Sequence, residues 1–234
     1  MLPDFDFCRD AFAKYDLELD HEMYRRFDIY AEFLVEYNKN VNLTAITDPV
    51  EILYKHFIDS VLMLKYAEIP HDSKLIDVGT GAGFPSVPAK IYDNSLQIIL
   101  LDSLNKRITF LQLLCEKLGI DAEFVHGRAE DIAKLPEYRE QFDVTCARAV
   151  ANMSLLSEFC IPFIKIGGRF IALKGPNEDI SSGENAVKLL GGNVSCETNY
   201  DVEGEQRKIV IVNKISQTPP KYPRNSAQIK KKSL

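Results

Sequence analysis

The first third of the chain has the hydrophobic spacing of amphipathic helices. Apolar residues recur at three- and four-residue steps over residues 23–37, which would place them along one helix face. A second helix is predicted to begin at Asp48, which can cap its first turn, while Glu51 completes a capping box. We therefore expect a helical region over residues 1–70, called here the N-terminal cap.

From residue 73 the pattern changes to short apolar runs that alternate with helical stretches, which predicts a mostly parallel sheet covered on both faces. Two further β-rich segments are separated by only a few residues, which favours an antiparallel hairpin at the end of the sheet. We therefore expect one α/β domain over residues 71–215. The predicted strands lie at 74–78, 96–102, 122–126, 142–147, 169–174, 193–200 and 207–214.

Charge is distributed unevenly along the 234 residues, whose formal net charge is −6. Residues 1–72 carry a net charge of −8, whereas residues 216–234 carry +5 and no acidic residue. The acidic body argues against indiscriminate binding of polyanions, but the basic tail permits it locally. We expect the tail to be extended and its five basic residues to contact RNA phosphates. They are Lys221, Arg224, Lys230, Lys231 and Lys232.

The cysteines and histidines give no pattern of a metal site. Five cysteines are scattered without a C-x-x-C pair, and the four histidines lack ligand spacing. Reduced, packed thiols fit a cytoplasmic location. No apolar run reaches the ~18 residues of a membrane span, and no secretory signal is visible. We expect no metal, no membrane segment and no obligate protein partner.

The strongest chemical signal is D-V-G-T-G-A-G-F-P at 77–85, directly after the first predicted strand. Glycine lets a ligand approach the backbone, and in an open α/β sheet this turn lies at the edge where nucleotides bind. The Walker pattern is absent, and the third glycine comes one residue too early for a dinucleotide motif. This spacing favours a nucleoside without phosphate, as in S-adenosylmethionine. The alternative is a tight turn that binds nothing.

Two later segments agree with a nucleoside site. Asp102 ends the second predicted strand, where a carboxylate can accept hydrogen bonds from ribose hydroxyls. In G-R-A-E-D at 127–131, Ala129 is small enough for an adenine face to pass, and Glu130 could bind its edge. The competing interpretation of Asp102 is an acid at a helix start beside Ser103.

Eight segments, in the same order, resemble the RsmG family, also called glucose-inhibited division protein B. The family implies a bacterial S-adenosylmethionine-dependent methyltransferase that modifies a guanine N7 in 16S ribosomal RNA of the small ribosomal subunit. It also implies a Rossmann-like class I methyltransferase fold, with a seven-stranded, mostly parallel sheet, an antiparallel terminal hairpin and an N-terminal helical cap. The segments are N-L-T-A-I at 42–46, K-H-F-I-D-S at 55–60, D-V-G-T-G-A-G-F-P at 77–85, L-D-S-L-N-K-R at 101–107, G-R-A-E-D at 127–131, R-A-V-A at 148–151, L-K-G at 173–175 and K-Y-P-R at 221–224.

The resemblance also implies which residues contact the cofactor. Two departures from the family pattern are visible: Ser86 replaces a usual glycine, and the tail lacks a G-x-P step. We expect that removing the tail leaves cofactor binding intact, because the glycine turn is untouched. The implied contacts are Gly79, Gly81, Phe84, Asp102, Ser103, Ala129, Glu130 and Arg148.

Missing motifs favour the same chemistry. No N/D-P-P-Y/F motif follows the fourth strand to hold an exocyclic amine, and Cys146 is expected to be buried packing rather than a nucleophile. Guanine N7 is itself a nucleophile, so positioning is sufficient and we name no general base. Arg148 and Lys174 are the candidates for placing the guanine, while His56 is expected to pack.

Arg148 has several possible roles. A bidentate contact with guanine O6 and N7 would block the methylated atom. Arg148 would therefore contact O6 alone, or the cofactor carboxylate, or serve only as a structural ion pair. A rival for the whole protein is a non-catalytic RNA-binding protein on the same scaffold, and a second is a nicotinamide-dependent oxidoreductase. The intact glycine turn with its spacing disfavours both.

Overall fold

The computed structural model describes residues 1–148 and 151–234 and contains a seven-stranded sheet. Five strands run parallel, in the order β3-β2-β1-β4-β5, and β7 pairs antiparallel with both β5 and β6. The expected sheet and terminal hairpin are therefore confirmed. The strands are β1 Lys74–Val78, β2 Gln97–Asp102, β3 Glu123–His126, β4 Phe142–Arg148, β5 Ile164–Lys174, β6 Gly192–Val202 and β7 Glu205–Lys214.

The central strands β1, β2 and β4 are buried because they are apolar on both faces. In β2, Ile98 and Leu100 pack with the N-terminal cap, whereas Ile99 and Leu101 pack on the opposite face. This alternation follows from the two-residue period of a strand. The helices that cover the two faces or flank them are α1 Phe5–Ala13, α2 His21–Asn38, α3 Pro49–Glu51, α4 Asp59–Ala67, α5 Ser86–Tyr92, α6 Asn105–Leu118, α7 Ala129–Ile132, α8 Met153–Cys160, α9 Glu184–Leu189 and α10 Ser226–Lys231.

The helix predicted from Asp48 contains a π-helical segment, Ile52–Ile58, between α3 and α4. Asp48 accepts hydrogen bonds from the backbone amides of Val50 and Glu51, so the predicted start is confirmed. π-Helical turns are rare and often lie at functional sites. This one is followed by Asp59, which is only 3% exposed despite its charge.

The tail is not extended, so that expectation was wrong. Tyr222 and Ile229 are buried, and α10 begins with a capping box between Asn225 and Gln228. The Arg139 guanidinium donates to the carbonyls of Thr218 and Tyr222 and holds the chain against the body. Burial of two large apolar side chains outweighs the mobility that its lysines suggest.

Candidate functional site at the carboxyl edge of the sheet

The glycine turn, residues 79–85, leaves the carboxyl end of β1 with two glycines in left-handed conformation on its open side. Gly79 has φ +73° and Gly81 φ +62°. A Cβ at Gly81 would meet only the Gly79 carbonyl, at 3.9 Å, so the turn leaves space beside its backbone. Gly83 differs, because a Cβ there would lie 2.7 Å from the Tyr30 hydroxyl. Gly83 is thus required for packing under the cap.

Asp102 lies at the end of β2 with its carboxylate turned towards the glycine turn. Its Oδ2 accepts hydrogen bonds from the Gly81 amide at 3.0 Å and Arg107 Nη1 at 3.1 Å. Its Oδ1 accepts from the Leu104 amide at 2.9 Å. An ionised carboxylate can accept about four hydrogen bonds, so about one remains for a ligand hydroxyl.

A pocket of about 190 Å³ lies at this edge, called here the carboxyl-edge pocket. It contains five of the predicted cofactor contacts, namely Gly79, Asp102, Ser103, Ala129 and Glu130. The volume is below the ~300–1,000 Å³ of complete small-molecule sites, so it suits one part of a ligand. Its other lining residues, which the sequence did not indicate as cofactor contacts, are Val78, Leu101, Gly127, Arg128, Phe159, Ser226, Ile229 and Lys230.

A further carboxyl group, that of Asp77, lies in β1 just before the glycine turn. Its side chain is fully buried, and burial raises the pKa of its carboxyl to about 7. Oδ2 accepts from the Thr80 hydroxyl at 2.9 Å, whereas Oδ1 has no hydrogen-bond partner among the described residues. Asp77 has no exposed surface and does not line the carboxyl-edge pocket, so this oxygen is not placed to accept a hydrogen bond from a ligand there.

Phe84 and Arg148 do not line the carboxyl-edge pocket, contrary to the cofactor contacts expected there. The Phe84 ring is stacked between Tyr30 and His56, with centroid distances of 5.3 and 4.3 Å. The guanidinium carbon of Arg148 lies 4.7 Å from the Phe84 centroid. The physical reason is the cap, whose aromatic side chains cover this side of the turn. Gly81 also lies outside the pocket lining. Its amide donates a hydrogen bond to Asp102 and so helps to hold this pocket residue in place.

A second cavity of about 620 Å³, called here the basic cleft, opens beside Arg148. It combines side chains from the π-helical segment, the end of β5 and the terminal hairpin. Its ionised residues comprise four bases and two acids, with His56 and Tyr200 between them. The lining residues are Ile46, Lys55, His56, Asp59, Arg148, Ala151, Leu173, Lys174, Gly175, Glu178, Tyr200 and Arg207.

Arg148 is held in the cleft by three groups of the cap. Its Nη1 donates to the Lys55 carbonyl and to Asp59 Oδ2, both at 3.1 Å, and its Nη2 donates to His56 Nδ1 at 3.2 Å. A guanidinium has five N–H donors, so two remain for a ligand. The expected structural ion pair is therefore present, but it leaves donors available.

His56 is neutral in this arrangement. Burial and the charge of Arg148 lower its pKa to about 3. Because Nδ1 accepts from Arg148, the proton lies on Nε2, which is 3.0 Å from Thr44 Oγ1. The packing role expected for His56 is thus combined with a polar one, as a fixed acceptor that orients Arg148.

Two further pairs complete the cleft. Asp59 accepts a hydrogen bond from the Tyr200 hydroxyl at 2.8 Å, in addition to its ion pair with Arg148. Lys174 Nζ donates to Glu178 at 2.8 Å and to the Ala151 carbonyl.

Cys146 is fully buried with its Sγ 3.3 Å from Ser86 Oγ, which confirms the expected packing role.

The basic residues of the tail divide into two groups. Arg224 donates to buried Glu158 from Nε at 2.9 Å and from Nη2 at 2.6 Å, so it anchors the tail. The four lysines predicted to bind RNA are exposed. Within the described part of the chain there is no cluster of potential metal ligands, and no helix is long and apolar enough to span a membrane.

Solved structures place this architecture in a known class. The fold is similar to TrmN from Thermus thermophilus, with a TM-score of 0.53 and 15% identity over 70% of this chain and 53% of that one. It is also similar to the ribosomal protein L11 methylase from Lactobacillus delbrueckii subsp. bulgaricus, with a TM-score of 0.53 and 16% identity over 69% and 79% of the two chains. The strand order and the glycine turn define a Rossmann-like class I methyltransferase fold.

Similarity in sequence identifies the family within this fold class. A family model described as GidB, rRNA small subunit methyltransferase G, matches residues 23–210. A relative named ribosomal RNA small subunit methyltransferase G, from Clostridium botulinum, is 47% identical over 98% of both chains. The chain therefore belongs to the GidB family of rRNA small subunit methyltransferase G proteins.

Proposed function

We propose that this protein transfers the methyl group of S-adenosylmethionine to N7 of a guanine in 16S ribosomal RNA of the small ribosomal subunit. The observation that carries the proposal is the pair of cavities that adjoin one glycine turn. The carboxyl-edge pocket contains the nucleoside-binding residues, and the basic cleft contains Arg148, which packs on Phe84 of the same turn. Because the proposed substrate is ribosomal RNA, we infer a cytoplasmic location.

The residues present fit the cofactor. Asp102 would hold the ribose, Ala129 and Glu130 would bind the adenine, and the open side of Gly81 would admit the methionine part of the cofactor. When bound, the cofactor supplies an activated methyl group, and the protein contributes position.

The basic cleft fits a guanine base. Guanine presents acceptors at O6 and N7 and donors at N1 and N2, and the cleft offers both kinds of partner. Arg148 and Lys174 would donate to O6, and Glu178, which lies 2.8 Å from Lys174, would accept from the N1 and N2 donors. This arrangement leaves N7 free. A bidentate arginine on O6 and N7 would instead prevent the reaction.

RNA would be held by the exposed lysines of the tail, Lys221 and Lys230–Lys232. Their positive charge opposes the acidic body and provides phosphate contacts. Arg224 was expected among these contacts, but its ion pair with Glu158 favours an anchoring role.

The experiment is to incubate the protein with methyl-labelled S-adenosylmethionine and small subunits that lack the modification, and then to locate the label. N7-methylguanine is recognised by strand cleavage after borohydride and aniline treatment. We expect label at one guanine N7. Label on an exocyclic amine or a pyrimidine carbon would contradict the reaction type. RNA binding without label would support the non-catalytic alternative.

A further inference from the structure

The C-terminal tail reaches the carboxyl-edge pocket from the opposite end of the sequence. Ser226, Ile229 and Lys230, all in α10, form part of the pocket lining. The expectation that the tail is irrelevant to cofactor binding is therefore inconsistent with the geometry. We propose that α10 completes the cofactor pocket, with Ser226 as a positioning residue for Glu130 and Ile229 as an apolar wall for the nucleoside. This inference rests on the proposed function.

Ser226 acts on the side chain that is expected to bind adenine. Its hydroxyl donates to Glu130 Oε1, and the Glu130 side chain is almost completely buried. Because a carboxylate has two oxygens with about four acceptor positions, this bond fixes its orientation and leaves Oε2 for a ligand amine. Arg128 Nη1, 4.0 Å from the same Oε1, adds charge on that side.

Ile229 provides the apolar part of the wall. It is 3% exposed and belongs to the pocket lining together with Val78, Leu101 and Phe159. Three of these side chains come from the sheet and α8, so without α10 the pocket would be open to water on the tail side. Ligand sites bury most of the ligand surface, and a nucleoside base is an apolar face that gains from such a wall.

The segment of the tail that contains α10 is fixed to the body of the protein at both ends. Arg224 pairs with Glu158, whose side chain is 1% exposed, directly before α10 begins. Breaking this pair would leave a buried charge without a partner, which is strongly unfavourable. At the far end, the Ser154 hydroxyl donates to the Leu234 carbonyl. Since both ends of the segment are fixed, α10 is a permanent wall and not a plug that must leave before the cofactor enters.

The helical form of this wall depends on the hydrogen bonds of its first turn. The Ile229 amide donates to the Asn225 carbonyl at 3.0 Å, and the Gln228 amide donates to the Asn225 side chain at 2.9 Å. A proline at position 229 would lack the first donor and disrupt the turn. These hydrogen bonds form the turn that presents Ser226 and Ile229 to the pocket.

The test is calorimetric titration of S-adenosylhomocysteine and of adenosine into the full-length protein and single variants. We expect Ser226→Ala to weaken both ligands about fivefold and Ile229→Ala to weaken both about tenfold. Equal loss for the two ligands follows because α10 contacts only the nucleoside end. The matched control is Ala227→Ser, an exposed position on α10 outside the pocket lining and outside the capping box, which should change affinity less than twofold. Thermal unfolding of each variant shows whether it is folded.

Three outcomes would overturn the inference. Unchanged affinity in folded Ser226→Ala and Ile229→Ala variants would show that α10 does not contribute to binding. Tighter binding would show that the tail obstructs the pocket. Loss of S-adenosylhomocysteine without loss of adenosine would place α10 at the other end of the ligand. If the wild type binds neither ligand, the proposed function fails, which is distinct from a wild type that binds and variants that do not differ.

Discussion

The carboxyl-edge pocket and the basic cleft adjoin the same glycine turn but are built by different kinds of contact. Most of the pocket comes from the carboxyl ends of neighbouring parallel strands, because Asp102 ends β2 and Glu130 lies in α7, the short helix after β3. The cleft instead depends on pairs far apart in the chain, such as Arg148 with Asp59, 89 residues away. The first region is set by local sequence and topology, whereas the second exists only when the cap and the hairpin have packed.

This difference predicts that changes in the two regions have separable effects. Pocket variants should lose cofactor affinity, and cleft variants should lose methyl transfer while retaining the cofactor. The largest effect is expected at Asp102. Asp102→Ala removes the ribose acceptor and the hydrogen bond that holds the Gly81 amide. Because hydrogen bonds to charged groups contribute about 1.5–3 kcal/mol each, we expect at least a ~100-fold loss of S-adenosylhomocysteine affinity by calorimetry.

The control for this variant is Asp131→Ala, an exposed acid on α7 outside the pocket lining. It should bind S-adenosylhomocysteine like the wild type. If Asp102→Ala also bound like the wild type, the pocket would not be the nucleoside site.

The next effect concerns the cleft. Asp59→Asn keeps the shape of the side chain but removes the charge opposite Arg148, whose guanidinium is largely buried. We expect the methylation rate of small subunits to fall at least about tenfold and the free energy of unfolding to fall by about 3 kcal/mol. Affinity for S-adenosylhomocysteine should stay within about twofold. An equal loss of cofactor affinity and rate would show that the two regions are not separable.

The buried His56 of the basic cleft should make the stability of the protein depend on pH. Its pKa is lowered to about 3, from an ordinary value of 6.5, so the unfolded chain binds a proton that the folded protein excludes between these values. Stability therefore falls as pH falls below 6.5, by up to ~1.4 kcal/mol per pH unit. The free energy of unfolding of His56→Gln, measured with urea, should lack this pH-dependent contribution. The stability of the variant relative to the wild type should therefore increase from pH 6.5 to pH 5. Parallel pH profiles would contradict a neutral, buried His56.

The smallest effect is expected for RNA binding by the tail. Each phosphate contact contributes about 0.7–0.9 to the slope of log affinity against log salt concentration. Replacing both Lys231 and Lys232 with glutamine should lower that slope by about 1.4–1.8. Lys65→Gln combined with Lys188→Gln, two lysines outside the tail, is the matched control. An unchanged slope in the tail variant would place the RNA surface elsewhere.

Much of the fold could be predicted from the sequence because it is encoded locally. The strands β1 and β2 were predicted to within one residue, since apolar runs between polar or glycine positions report burial on both faces. Likewise, the glycine turn and Asp102 indicated the edge of the sheet at which the carboxyl-edge pocket lies. These features depend on short-range sequence and on the rule that strand ends in a parallel sheet share one edge.

The remainder depends on contacts that no local pattern records. Ser226 lies 96 residues from Glu130 in sequence, and the prolines and lysines of the tail predicted an extended segment. The burial of Ile229 and the Arg224–Glu158 pair decide otherwise. Similarly, the family resemblance implied that Phe84 contacts the cofactor, whereas the Phe84 ring stacks with Tyr30 of the cap and does not line the carboxyl-edge pocket.

The central claim is that cofactor and guanine occupy separate regions, and Arg148 tests it because the family resemblance assigned Arg148 to the cofactor. The measurement is the affinity of S-adenosylhomocysteine for Arg148→Gln, in a variant whose methyl transfer to small subunits is impaired. Because Arg148 lines the cleft and not the carboxyl-edge pocket, we expect affinity within about threefold of the wild type. A loss of about 100-fold, equivalent to about 2.7 kcal/mol, would place Arg148 in the cofactor site and contradict the division.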